Sequence, residues 1–191
     1  MNITETALPG VLLLAPKRFG DDRGWFMESW NREALKARGI DIDFVQDNHS
    51  MSAMPGTVRG LHYQSPPHAQ DKLVRVARGR VMDVAVDARK GSPHYGKWVG
   101  AELSAENGHQ LLIPKGFLHG FATLSPDVEL LYKCSDIYAP DCDGGVLWND
   151  PDLGIDWGLD PDAPVVLSGK DEAAPRFADW NSPFTYEGDA A

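Results

Sequence analysis

The 191-residue chain carries 28 acidic residues against 18 Lys and Arg, which gives a formal net charge of −10. This balance argues against nucleic acid and anionic membranes as partners, because both demand a basic protein surface. A hydrophobic content of 42% with 24% charged residues predicts a soluble globular protein, and no apolar run approaches the roughly 20 residues of a membrane span. The N-terminus lacks a basic leader, and Cys134 and Cys142 make no disulfide framework, so we expect a cytoplasmic protein with free thiols.

Residues 1–191 show no linker or repeat, so a single domain is predicted. A helix is predicted over residues 32–38, because Asn31 or Ser29 can cap its start and Gly39 can end it.

Most of the remainder predicts short β-strands separated by turns, which favours an all-β sandwich or barrel. Two strands, residues 72–77 and 81–87, flank a tight turn at Gly79. In the second strand, alternation places Asp83 on one face with Val81 and Ala85. From about residue 160 we expect short helical or irregular structure, with a loose tail after about residue 180. Further strands are predicted over residues 98–103, 108–113, 120–124, 129–137 and 145–148.

The segment from residue 56 to residue 76 concentrates cationic and imidazole side chains in an otherwise acidic protein. It contains Arg59, His62, His68, Lys72 and Arg75 between two predicted strands. The chain has no glycine-rich loop leading into a helix, so an anionic ligand would have to meet charged side chains here. A solvated turn whose charges have no function is the alternative reading.

This segment, with its runs RGLHYQ and QDKLVRV, resembles the dTDP-4-dehydrorhamnose 3,5-epimerase family. Six further blocks match in the same order and at compatible distances, and the likeness as a whole spans about nine-tenths of the chain. The blocks are DDRGWFMESW at 21–30, FVQDNHS at 44–50, IPKGFLHGF at 113–121, LYKCSDIY at 131–138, VLWNDPDLGIDW at 146–157 and LSGKD at 167–171.

The resemblance implies a cupin-type jelly roll with a few short peripheral helices and a ligand inside the mouth of the barrel. It also implies a dTDP-linked 4-keto-6-deoxy sugar as substrate, inverted at C3 and C5 to give dTDP-4-dehydro-L-rhamnose. The expected reaction is cofactor-free: a proton is removed next to the ketone and returned on the opposite face. A nicotinamide is not expected either, because the chain has no G-x-G-x-x-G element.

His62 is the predicted base, since a neutral imidazole can accept and return a proton near neutral pH. The resemblance supplies Asp171 as the carboxylate that supports it, while Asp83 is an alternative because it interrupts an apolar strand. By resemblance Tyr132 is the acid, although a strand tyrosine taken alone indicates packing. Lys72 and His119 are candidates for stabilising the enolate.

The remaining expected contacts with the substrate come from the resemblance. In the family a dimer lets an N-terminal segment of one subunit complete the other's site, so we expect a homodimer in which Arg23, Phe26 and Glu28 do this. Asp143 stands in a loop where the family commonly has a glutamate, which leaves its reach to the ligand open. The expected substrate-binding residues are Arg23, Phe26, Glu28, Gln46, Asn48, Arg59, His119, Asp143 and Lys170.

No metal is expected, because the six histidines are dispersed and form no H-x-H pair with a carboxylate at ligand spacing. Convergence of His62, His119 and a carboxylate on iron or zinc in a cupin oxygenase is the competing reading. A mono-epimerase, a ketoisomerase and a non-catalytic sugar-nucleotide-binding cupin also stay open. The roles of Asp83, His49 and Cys134 are not assigned.

Overall fold

Two antiparallel sheets face each other and enclose one cluster of buried apolar side chains, in a computed structural model that describes residues 1–188. The six-stranded sheet contains, in spatial order, β1 (Asn2–Glu5), β2 (Leu12–Ala15), β11 (Gln110–Ile113), β7 (Lys72–Arg78), β13 (Val128–Cys134) and β5 (Gln46–Ser52). The five-stranded sheet contains β10 (Trp98–Ser104), β8 (Arg80–Asp87), β12 (Phe117–Thr123), β6 (Val58–Gln64) and β14 (Asp143–Gly145). This arrangement confirms the predicted all-β jelly roll.

Two small two-stranded sheets flank the sandwich. The antiparallel hairpin of β3 (Arg18–Asp21) and β4 (Gly24–Met27) projects from it, and we call residues 18–27 the arm. The parallel pair of β9 (Arg89–Lys90) and β15 (Phe184–Thr185) ties the C-terminal segment to the body of the protein.

The predicted helix is present as α1 (Arg32–Lys36), two residues shorter than expected. Asn31 caps it, because its Oδ1 accepts a hydrogen bond from the backbone N–H of Ala34 at 3.1 Å. Gly39 follows with a φ of 83°, the left-handed conformation that glycine adopts without strain. Along the described residues, no helix is long and apolar enough to cross a membrane.

Alternation along β8 sorts its side chains as the sequence predicts. Val81 and Ala85 belong to the core cluster between the sheets, whereas Val84 and Val86 pack in a second cluster on the outer face. Asp83 shares the inner face and is fully buried. The inner face of β8 therefore directs a carboxylate into the sandwich, where it needs a partner.

The C-terminal segment is more ordered than predicted. It contains a single helical turn, α2 (Gly169–Glu172), as well as β15. Ser182 and Phe184 are buried, so the expectation of a loose tail after about residue 180 is wrong for residues 182–185. The reason is the pairing of β15 with β9, a long-range contact that local sequence does not reveal. Residues 189–191 lie outside the described residues.

Candidate active site

A cavity of about 440 Å³ opens at the end of the sandwich where β6 and β13 finish and β5 and β7 begin. Both sheets contribute to its walls, and most lining side chains are polar. Its size falls in the range of small-molecule binding sites, roughly 300–1,000 Å³. The lining residues are Gln46, Asn48, His62, Tyr63, Gln64, Gln70, Lys72, Tyr132, Tyr138, Asp143 and Lys170.

Seven of the thirteen residues predicted from the sequence line this cavity. Three others, Asp171, His119 and Arg59, lie immediately beside lining residues. The last three, Arg23, Phe26 and Glu28, lie on or next to the arm and do not line the cavity within the described chain. The seven lining residues are His62, Lys72, Tyr132, Gln46, Asn48, Asp143 and Lys170.

His62 on β6 and Asp171 on α2 form a close pair, with 2.5 Å between Nε2 and Oδ1. Asp171 is 4% exposed. Burial opposes ionisation of this carboxyl, but hydrogen bonds from His62, Ser168 and the backbone of Gly60 hold its pKa below the ordinary value. An ionised carboxylate only accepts hydrogen bonds, so the Nε2–H of His62 donates to it. The lone pair of Nδ1 is then the one available to a ligand in the cavity.

A bulge in β6 allows Arg59 and His62 to point to the same side of the sheet. In a regular strand, residues three apart point to opposite faces. Here β6 has one extra residue opposite β12, between the pairs Phe121–Arg59 and His119–His62. Gly60 occupies the bulge with a φ of 132°, and a Cβ there would lie 2.6 Å from the Cα of Gly120. Glycine is therefore required at the position that turns His62 inward.

His119 is the cross-strand neighbour of His62 and is almost completely buried. Its Nε2 lies 3.0 Å from Oδ2 of Asp83, which gives that buried carboxylate its partner. Burial lowers the pKa of His119, with Asp83 opposing the shift and Lys72 adding to it. A neutral His119 that donates through Nε2 presents only an acceptor at Nδ1.

Lys72 and Cys134 are cross-strand partners at the ends of β7 and β13 that border the cavity. Burial lowers the pKa of Lys72, while Cys134, Asp83 and Asp143 oppose this shift. Burial raises the pKa of the Cys134 thiol, so it stays protonated at neutral pH, and it accepts a weak hydrogen bond from Asn48 at 3.6 Å. Cys134 thus behaves as a small packing residue, whereas its cross-strand partner Lys72 brings a positive charge to the cavity wall.

Tyr132 enters the cavity from β13, in the sheet opposite to that of His62. Its neighbours across the sheet are Asn48 and Val74. Burial raises the pKa of the Tyr132 phenol, and the nearby guanidinium of Arg59 lowers it in part. The phenol is therefore protonated at neutral pH and can act as a donor.

The mouth of the cavity carries an ion pair between Lys170 and Asp143. The hydroxyl of Tyr138 donates to the same carboxylate oxygen, Oδ2, at 3.3 Å. Gln46 and Gln64 hold the segment that presents Tyr138: their Oε1 atoms accept the N–H groups of Tyr138 and Ala139, both at 2.8 Å. Asp143 therefore lines the cavity with its Oδ2 already bonded to Lys170 and Tyr138.

Sequence reasoning did not include Tyr63, Gln64, Gln70 or Tyr138 among the site residues, although all four line the cavity. Gln64 could have been predicted from the sequence, because residues two apart in a strand lie on the same face and Gln64 follows His62 at that spacing. Gln70 and Tyr138 stand in connecting segments, where alternation gives no signal.

The arm lies apart from the cavity and exposes aromatic side chains. Phe26 is 68% exposed, and Trp25 and Phe19 are each more than half exposed. Arg23 pairs with Asp21 at the tip of the arm. Glu28, just beyond the arm, accepts a hydrogen bond from Asn31.

No cluster of three or more His, Cys, Asp or Glu side chains within residues 1–188 is arranged to hold a metal ion. His62 and His119 each have their Nε2 beside a different carboxylate, Asp171 and Asp83. The expectation of a metal-free enzyme stays a prediction.

Known proteins match this chain over almost its whole length. The family model of dTDP-4-dehydrorhamnose 3,5-epimerase matches residues 5–179. A dTDP-4-dehydrorhamnose 3,5-epimerase of Pseudomonas aeruginosa is 54% identical over 94% of this chain and 97% of its own length.

Two solved structures are informative as well. An epimerase of Legionella pneumophila in complex with dTDP-4-keto-L-rhamnose is 45% identical, with a TM-score of 0.93 over 98% of this chain and 99% of that one. A 3'-monoepimerase of Streptomyces bikiniensis in complex with dTDP-quinovose is 35% identical, with a TM-score of 0.84 over 91% and 86% of the two chains. These matches confirm the resemblance seen in the sequence motifs: the chain belongs to the dTDP-4-dehydrorhamnose 3,5-epimerase family.

Proposed function

We propose that this protein inverts C3 and C5 of dTDP-4-dehydro-6-deoxy-D-glucose and forms dTDP-4-dehydro-L-rhamnose. The observation that carries the proposal is the pairing of His62 with Asp171 in a cavity that Tyr132 enters from the opposite sheet. A base and an acid on opposite walls suit a reaction that removes a proton from one face of a carbon and returns one to the other.

His62 removes the proton in the proposed mechanism. The 4-keto group acidifies the hydrogens on the two adjacent carbons, C3 and C5. Nδ1 of His62 accepts such a proton, and the Asp171 carboxylate at Nε2 stabilises the imidazolium that forms. The same pair serves both carbons in turn: before the second inversion, His62 releases its proton to solvent water and Tyr132 takes one up from it.

Lys72 stabilises the negative charge that develops on the ketone oxygen. An ammonium in a shielded site is a strong donor to an oxyanion, and such a donor contributes about 3–4 kcal/mol to the transition state. His119 suits this role less well, because a neutral imidazole that donates to Asp83 offers the cavity no N–H. We assign His119 to holding a substrate hydroxyl or to supporting His62.

Tyr132 returns a proton to the carbon from the other side. Its raised pKa keeps the phenol protonated until a carbanion develops nearby. Lys170 at the mouth and Arg59 near Tyr132 supply positive charge for the diphosphate, and Gln46 and Asn48 offer amide groups to the nucleotide. No step requires a bound cofactor.

We further propose that the protein is a homodimer in which the arm of one subunit reaches the cavity of the other. Phe19 and Phe26, exposed cross-strand partners on a projecting hairpin, support this, because an exposed apolar patch indicates a protein contact. In the dimer Phe26 would stack on the thymine base, while Arg23 and Glu28 would contact the nucleotide. Free Cys134 and Cys142 support a cytoplasmic location.

A 3'-monoepimerase is the second candidate, because a protein of that activity has the same fold at 35% identity. Proton NMR of the product distinguishes the two. Inversion at both C3 and C5 supports the proposal, inversion at one carbon favours the monoepimerase, and an unchanged sugar that still binds contradicts both.

A further inference from the structure

We propose that Ser168 is a positioning residue of this enzyme, which fixes the Asp171 carboxylate against His62. The Oγ of Ser168 donates to Oδ2 of Asp171 at 2.8 Å. The same Oγ accepts the backbone N–H of Asp171 at 3.1 Å. One hydroxyl thereby holds both the main chain and the side chain of Asp171. The inference rests on the proposed roles of His62 and Asp171 in proton transfer.

The two oxygens of Asp171 have separate partners. Oδ1 faces His62 and Oδ2 faces Ser168, so rotation of the carboxylate about its own axis would break both contacts. Placing a reacting group wrongly by about 1 Å can lower a rate by about 10²-fold. The hydroxyl of Ser168 therefore controls the direction in which Asp171 presents its accepting oxygen to the imidazole.

Helix α2 is so short that the hydrogen bonds between Ser168 and Asp171 matter for its position. Helix α2 has four residues, and an isolated single turn has little stability of its own. Ser168 is its N-cap, with an extended φ of −81° and ψ of 154°. The turn also carries Lys170, which forms an ion pair with Asp143 at the mouth of the cavity. Ser168 thus anchors an element that bears both a proposed diphosphate contact and the partner of the base.

Three substitutions of Ser168 separate a positioning role of its hydroxyl from its role as a helix cap. Glycine and alanine both remove the hydroxyl, but glycine is a good N-cap residue and alanine a poor one. Threonine retains the hydroxyl, and Ser168 is exposed, so an added methyl group has room. The variants Ser168→Gly, Ser168→Ala and Ser168→Thr therefore test the hydroxyl independently of the stability of the turn.

The experiment is steady-state kinetics of these variants with the dTDP-linked keto sugar, together with urea unfolding of each. We expect kcat to fall about 10- to 100-fold, by the same factor in Ser168→Gly and Ser168→Ala, with KM within about 3-fold of wild type. Ser168→Thr should retain at least half of the wild-type kcat, and only Ser168→Ala should unfold at lower urea.

Three results would overturn the inference. The first is a wild-type kcat in Ser168→Gly, and the second is a fall in kcat that matches the fall in the urea midpoint across the variants and not the absence of the hydroxyl. The third is a kcat of Ser168→Thr as low as that of Ser168→Ala. Asp171→Asn, measured beside them, tests the proposed roles themselves. If Asp171→Asn is fully active, the roles assigned to His62 and Asp171 are wrong and the inference falls with them. If Asp171→Asn is inactive while Ser168→Gly is normal, only the inference about Ser168 is wrong.

Discussion

His62 and Tyr132 reach the same cavity from opposite sheets of the sandwich. The bulge at Gly60 turns His62 inward, whereas regular alternation along β13 places Tyr132 there together with Leu130 and Cys134. The two groups proposed to transfer protons thus lie on facing walls, as an inversion needs, and the first predictions concern this pair.

Replacing His62 with alanine should abolish exchange of the C3 and C5 hydrogens with solvent. The cavity would lose the only group in it that is proposed as a base, at a cost of at least 10²- to 10⁴-fold in rate. Affinity for dTDP, measured by calorimetry, should stay within about 3-fold, because the proposed nucleotide contacts lie elsewhere. An unfolded variant would instead mean that His62 is structural.

Replacing Tyr132 with phenylalanine should impair complete inversion more than the first deprotonation. His62 and Lys72 remain, so solvent exchange continues, but return of the proton from the opposite wall slows by about 10²- to 10⁴-fold. Exchange and product formation are followed together by NMR. Tyr95→Phe is the matched control, because Tyr95 packs against Phe177 and does not line the cavity. If Tyr132→Phe turned over like this control, the acid role would be withdrawn.

Replacing Lys72 with methionine should lower kcat by about 10²- to 10³-fold, as removal of an oxyanion donor does. Affinity for dTDP should change little, since Lys72 is assigned to the ketone of the sugar and not to the diphosphate. Lys115→Met is the control, because Lys115 is an exposed lysine outside the cavity. A loss of nucleotide affinity as large as the loss in kcat would reassign Lys72 to diphosphate binding.

The arm predicts a specific result in subunit mixing. In a mixed dimer of Arg23→Ala and His62→Ala subunits, one cavity would combine an intact His62 with an intact arm, and activity would return. If each arm served its own cavity, both cavities would carry a defect and mixing would restore nothing. Sedimentation of the wild-type protein must first give the mass of a dimer; a monomer would contradict the proposal.

The buried carboxylate of Asp87 predicts a pH-dependent contribution to stability. Burial opposes its ionisation, but hydrogen bonds from Arg89 and Ser92 hold its folded-state pKa below the ordinary carboxyl value. A depressed pKa stabilises the folded state above the ordinary carboxyl pKa, and this contribution is lost as the pH falls through the folded-state value. Asp87→Asn should therefore lower the free energy of unfolding by about 2–3 kcal/mol at neutral pH.

Urea unfolding at neutral pH and below the ordinary carboxyl pKa tests this prediction. The difference between Asp87→Asn and wild type should shrink at the lower pH, whereas the exposed Asp162→Asn should resemble wild type at both. A difference that is independent of pH would mean that the substitution disturbs packing and not the charge of Asp87.

Sequence reasoning anticipated the parts of the site that follow from alternation or from the family motifs. Alternation grouped Asp83 with Val81 and Ala85 on one face of β8, and the structure buries that face and supplies His119 as the partner of Asp83. The bulge at Gly60 was not predictable from alternation, which would place Arg59 and His62 on opposite faces.

Contacts between distant segments were less accessible. Asp171 lies 109 residues from His62, and only the family motif pointed to it. Tyr138 was missed because its position depends on hydrogen bonds that the backbone N–H groups of Tyr138 and Ala139 donate to Gln46 and Gln64, on two different strands. Phe184 was assigned to a loose tail, although its burial depends on pairing with β9, far away in the sequence.

The most direct test of the proposed chemistry is deuterium incorporation into dTDP-4-dehydro-6-deoxy-D-glucose. It is followed by proton NMR in deuterium oxide with metal-stripped protein. We predict enzyme-dependent entry of deuterium at both C3 and C5, together with inverted product. Absence of exchange despite saturable binding, or activity only after a metal is added, would contradict cofactor-free proton transfer by His62 and Tyr132.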